Sequence, residues 1–173
     1  INESYTLIGT NTSSISTNST NISTNSSAIS TINDTTLANF SSGARVFQDS
    51  SGNTAMGADT LSSLTTGNYN TASGYGSLYS NTTGNSNTAS GYEALYTNTT
   101  GASNTASGYK ALYTNTLGGS NTASGYTALY LNTTGSYNTA SGRQALFNNT
   151  TGGTNTAIGT KALYSNSTGS GNV

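Results

Sequence analysis

The sequence predicts a mainly β fold: a homotrimeric parallel β-roll or β-solenoid of 17-residue coils, preceded by an N-terminal trimeric coiled-coil segment. Three observations carry this. A motif beginning Asn-Thr-Ala-x-Gly recurs every 17 residues from Asn53 onward without insertion or deletion. Isoleucines recur every seven residues near the start. The composition is 31% apolar and 5% charged, so one chain folded as an ordinary globule would bury little apolar surface against its backbone entropy. High net charge and absence of period mark disorder, and this chain has a net charge of −1 and a strict period.

Residues 1–32 read as the coiled-coil stalk segment. Ile8, Ile15, Ile22 and Ile29 are seven apart, and three residues after them come Asn11, Asn18, Asn25 and then Ile32. That is a heptad with Ile at one core position and Asn at the other. Ser, Thr and Asn are mediocre helix formers and no charged pairs line the face, so the segment is expected to be helical only in a bundle. In a trimer, three Asn amides meet at the axis and can donate hydrogen bonds to a trapped anion. The plainer alternative is that they bond to one another or to water. A β-type fibre shaft over residues 4–32 is the alternative to the helix.

Residues 33–52 are aperiodic and carry Leu37, Phe40, Val46 and Phe47. They read as a connector that caps the solenoid, because an open solenoid end would template edge pairing.

Residues 53–173 form the repeat domain, with seven coils and a truncated eighth beginning at Asn172. With the leading Asn as position 1, position 2 is Thr, 3 is Ala, 5 is Gly, 9 is Leu and 15 is Gly in every one of the seven coils, from Asn53 to Gly169. Position 10 is aromatic from Tyr79 to Tyr164, and position 6 is Tyr at Tyr75, Tyr92, Tyr109 and Tyr126. A 17-residue unit is too short for a helix pair and suits one coil of two short strands. Thr-Ala-x-Gly reads as one strand and x-Ala-Leu-Tyr as the second, with Asn-Thr-Thr-Gly as a turn. A helix over Ala-Leu-Tyr is disfavoured, because the breakers leave too few residues. Leu, Ala and aromatic columns are expected to form the core within and between chains, leaving a single chain poorly folded.

These motifs resemble those of trimeric autotransporter adhesins. The Ile-x-x-Asn heptads are similar to the family's stalks, where such asparagines face the axis and bind halide. The repeat is similar to the YadA-like head, a left-handed parallel β-roll of three chains around one axis. The family's usual coil is shorter and carries Ile where this chain has Ile158 once, Met56 once and Ser in the other five coils. Similar coils occur in phage tail fibres. The resemblance implies an extracellular homotrimer on a bacterial cell surface, or on a virion as a tail fibre, attaching to a host-cell surface, matrix or glycan. A purely structural spacer or filament is the third possibility.

The chemistry points the same way. His and Cys are absent, and no catalytic constellation, metal site or cofactor is expected beyond a halide at Asn11, Asn18 and Asn25. Four scattered basic residues, Arg45, Lys110, Arg143 and Lys161, argue against nucleic acid. No apolar run reaches the length of a membrane span, and a chain opening at Ile1 reads as a piece of a longer protein. The position-7 column, with Glu93, Lys110, Thr127, Gln144 and Lys161, reads as a solvated face. Tyr75, Tyr92, Tyr109 and Tyr126 are the candidate binding surface, through stacking on sugars, with packing between coils or chains as the alternative. The Thr column suggests an ice-binding face, against which it is expected to face the core. Asn-x-Ser/Thr sequons such as Asn81, Asn98, Asn132, Asn149 and Asn166 are candidate glycosylation sites.

Overall fold

A computed structural model describes residues 2–35 and 46–173 of the chain. Leu37, Phe40 and Arg45, and the side chains of Ile29, Ile32, Val46 and Phe47, lie outside that description. Two units separate, residues 1–39 and 40–173.

The first unit contains one helix, α1 (Asn2–Thr35), 34 residues long. Hydroxyls fold back onto its carbonyls four residues earlier: Thr12 Oγ1 donates to Ile8 O at 2.9 Å, Thr17 to Ser13 O at 3.0 Å and Thr24 to Thr20 O at 3.0 Å. Such back-bonding does not strengthen a helix. Every described side chain of α1 is exposed, including Ile8, Ile15 and Ile22 at 61–69%. Neither propensity nor burial among the described residues accounts for this helix.

The second unit is a parallel β-solenoid. After β1 (Val46–Gln48) come β2 (Thr54–Met56), β3 (Thr71–Ser73), β4 (Thr88–Ser90), β5 (Thr105–Ser107), β6 (Thr122–Ser124), β7 (Thr139–Ser141) and β8 (Thr156–Ile158). Strands β2 to β8 pair in order, parallel and in register, Thr on Thr and Ala on Ala. Six 17-residue turns join them. β1 pairs antiparallel with β2 and so occupies the first edge of the sheet.

The second strand expected at x-Ala-Leu-Tyr is absent. That stretch is a run of turns in which alternate residues take positive φ: Glu93 at 50° and Leu95 at 53°, Lys110 at 51° and Leu112 at 52°. A left-handed conformation costs a non-glycine residue about 1–2 kcal/mol, and burying a Leu contributes about 1.5–3 kcal/mol. Burial wins, since Leu78, Leu95, Leu112, Leu129 and Leu146 are fully buried. With Ala at positions 3 and 8 they fill a core that closes within one chain.

Two asparagine ladders run beside this core. At position 1, each Asn donates from its backbone N and from Nδ2 to the Oδ1 of the Asn one coil earlier. Asn104, for example, reaches Asn87 Oδ1 at 3.0 and 3.1 Å. At position 12, Asn98 Nδ2 reaches Asn81 Oδ1 at 2.8 Å and Asn115 Nδ2 reaches Asn98 Oδ1 at 2.7 Å. Both ladders converge on the position-15 glycine, whose carbonyl in Gly118 accepts from Asn104 Nδ2 at 2.8 Å and Asn115 Nδ2 at 2.9 Å. The position-1 ladder starts on Asp49, whose carboxylate takes Asn53 N and Nδ2, each at 2.8 Å, where later coils use an Asn amide oxygen. The asparagines read as turn formers are therefore interior stacking groups, and their amides satisfy one another where burial without partners would cost about 1–3 kcal/mol per group.

Thr127 departs from this economy. It is β-branched, sits at φ 49°, and its hydroxyl is buried without a partner. Gly76 occupies the same position at φ 62° in the second coil. Thr127→Gly should stabilise the solenoid by about 1 kcal/mol, read as a higher Tm in thermal denaturation.

Candidate functional site

The strand face comes first. In β4 to β7 Ala points inward while Thr and Ser both point out, so the position-2 threonines are exposed rather than facing the core. Hydroxyls elsewhere are used internally: position-13 threonines donate to the carbonyl one coil later at 2.9–3.1 Å. The Thr and Ser hydroxyls of β4 to β7 make no bond within the protein. Their even spacing follows the strand repeat of about 4.8 Å.

The second surface is aromatic. Tyr75, Tyr92, Tyr109 and Tyr126 stack in one column with centroids 5.1–5.4 Å apart. Tyr79, Tyr96, Tyr113, Tyr130, Phe147 and Tyr164 stack in another at 4.9–5.4 Å. Near-parallel rings at this separation cover one another's faces. The first column remains 40–49% exposed, so it offers a partner ring edges and phenol oxygens rather than open faces. Packing between coils, the alternative to sugar stacking, describes how the ring faces are used.

Between the two columns runs position 7. Lys110 Nζ lies 5.6 Å from the Tyr109 ring centre and 4.9 Å from that of Tyr113, bridging both columns, and pairs with Glu93 at 3.2 Å. Arg143 follows Tyr126 in its column, with its guanidinium 5.9 Å from that ring, and Lys161 Nζ lies 5.6 Å from Tyr164. The position-7 column is a solvated face only in part: Lys161 is exposed, Gln144 half-buried and Thr127 buried.

Carboxylates push titrations on this strip upward. The charge of Asp59 raises Tyr75, and hydrogen bonding to Glu93 raises both Tyr92 and Lys110. Burial raises Tyr113. In each case the folded chain holds its proton beyond the ordinary value of 10.0 for Tyr or 10.5 for Lys. Their contribution is complete below pH 10 and lost as pH rises through the raised values, because the unfolded chain then gives up protons first. Tm should be level from pH 7 to 9 and fall above about pH 10, as melting curves across that range would record.

Asn11, Asn18 and Asn25 are exposed along α1, each one turn beyond an exposed isoleucine. The structure brings no partner group to them from within the chain's described residues. The sequon asparagines Asn98, Asn132 and Asn149 are fully buried with Nδ2 engaged in the ladder, and Asn81 is fully buried with Nδ2 on Gly84 O at 3.0 Å, so the folded solenoid does not present these four to a glycosylating enzyme. Sequence reasoning missed Asp49 as the ladder's first acceptor, and its only signal was an acid four residues ahead of the first repeat Asn. No helix among the described residues is long and apolar enough to cross a membrane. Comparison with protein-family models, curated proteins and solved structures gave no match.

Proposed function

We propose that this chain is one strand of an extracellular homotrimeric fibre segment on a bacterial surface, non-enzymatic, presenting a repetitive solenoid face for attachment. The observation that carries the reading is the exposed isoleucine seam of α1, at 61–69% exposure on a helix whose composition cannot support it alone. Three copies would bury Ile8, Ile15 and Ile22 in layers and turn Asn11, Asn18 and Asn25 to a shared axis, where their amides would hold a halide. The solenoid supplies a rigid, nearly uncharged body with one decorated strip. Three identical strips would make weak contacts useful through avidity. The test is attachment: beads coated with the intact chain should be retained on fixed cells or matrix under flow, and bare beads should not. Equal loss of both would leave the spacer reading.

One observation favours a second reading. The free Thr and Ser hydroxyls of β4 to β7 form two evenly spaced, uncharged, outward rows, as a surface that orders water on an ice lattice requires. Thermal hysteresis of a solution of the intact chain decides it: a freezing-point gap that grows with concentration supports ice binding, and none removes it.

A further inference from the structure

The solenoid concentrates its charge in one place. All five charged residues of residues 53–173, namely Asp59, Glu93, Lys110, Arg143 and Lys161, occupy positions 6 and 7 of the coil. Position 6 is the first aromatic column itself, which Arg143 continues beyond Tyr126, and position 7 runs between the two columns, with Lys110 reaching rings of both. Charge along this strip is graded. Acids stand in the first and third coils, and Glu93 is neutralised by Lys110 at 3.2 Å. Beyond that pair come only Arg143 and Lys161, both exposed, one in each of two successive coils, with no ion pair among the described residues. Half-exposed Tyr126 and Gln144 flank them.

We infer that the last two coils of this strip form a subsite for an acidic polysaccharide whose carboxylates engage Arg143 and Lys161. This inference rests on the attachment reading and names the class of its receptor. Arginine offers a carboxylate two parallel N–H donors, and the phenol and amide groups beside it suit sugar hydroxyls. An elongated, linear site suits a chain ligand lying along successive coils. A nucleic acid fits worse, since phosphate-driven affinity grows with the number of phosphates neutralised, and two cations neutralise few. Serial coils, and copies in a fibre, would raise a weak contact to a useful one.

The test uses the intact chain over immobilised polygalacturonate, with neutral dextran and polyuridylate as comparisons. The chain should be retained on polygalacturonate, not on dextran, and more weakly on polyuridylate than on polygalacturonate. Raising salt from about 50 to about 200 mM should weaken the interaction. The double variant Arg143→Gln with Lys161→Gln should lose about tenfold or more in affinity with an unchanged melting curve, and Thr100→Ala, on another column, should bind as the parent does. Equal retention on dextran, preference for polyuridylate, or unchanged affinity in the double variant overturns the inference. If polygalacturonate fails while coated beads still attach to cells, the acidic-glycan subsite falls and the attachment reading stands.

Discussion

Gly108→Ala should cost the solenoid about 3–5 kcal/mol, read as a lower Tm in thermal denaturation. Gly108 sits at φ 133°, a region closed to L side chains, and a Cβ there would lie 2.6 Å from Gly125 O and 2.8 Å from Gly125 C. Both obstacles are backbone of the next coil, which is held in register by β5 and β6 and cannot step aside without breaking the ladder. Gly159→Ala separates the two causes. Its φ is 119°, but nothing lies within 4 Å of the added carbon, so only the dihedral cost remains, about 1–3 kcal/mol. Denaturant melts of the two variants should therefore differ clearly. Equal losses would mean that the close approach of the coils contributes nothing.

Asn104→Ala should cost about 3–5 kcal/mol by a different route. It removes the donor to Asn87 Oδ1 and Gly118 O, and the acceptor of Asn121 N at 3.0 Å and Asn121 Nδ2 at 3.1 Å. All these residues are buried, but Asn87 Oδ1 keeps Asn104 N, Gly118 O keeps Asn115 Nδ2 and Asn121 Nδ2 keeps Gly135 O, so Asn121 N is the one group orphaned, at about 1–3 kcal/mol, and the three other lost bonds, at about 0.5–1.5 kcal/mol each, supply the rest. Asn104→Asp keeps the acceptor but sets a carboxylate oxygen against Asn87 Oδ1, so it should also destabilise, and more at pH 7 than at pH 4, where the acid can donate. Chemical denaturation at the two pH values checks both statements. If Asn104→Ala melts like the parent, the ladder is ornamental.

The parts legible from the sequence are those that a period alone determines. Position in a constant 17-residue repeat fixes which side chains stack, so the Ala, Leu, Gly and Thr columns and the parallel solenoid follow from counting. Direction does not follow from counting. Whether Thr105 or Ala106 points inward depends on how the coil closes, and closure is set by Leu112 at φ 52°, a conformation that propensity assigns to Gly or Asn. The same closure removed the second strand. Asn98 was illegible for a related reason: in Asn-Thr-Thr-Gly it has the appearance of a turn residue or a sequon, and only stacking with Asn81 and Asn115 makes it an interior amide. The aromatic columns were legible as columns, but the use of their ring faces depends on the inter-coil distance, 5.2 Å between Tyr92 and Tyr109.

The solenoid core closes within one chain, while the seam of α1 is left open to solvent. The fibre reading stands on what covers that seam, and the mass of the intact chain in solution, by light scattering behind size exclusion, tests it most directly. The expected value is three times the 17.4 kDa of one chain, held down to micromolar concentration. A folded species of 17.4 kDa at that concentration would contradict the trimer, and with it the shared asparagine axis and the avidity on which attachment depends.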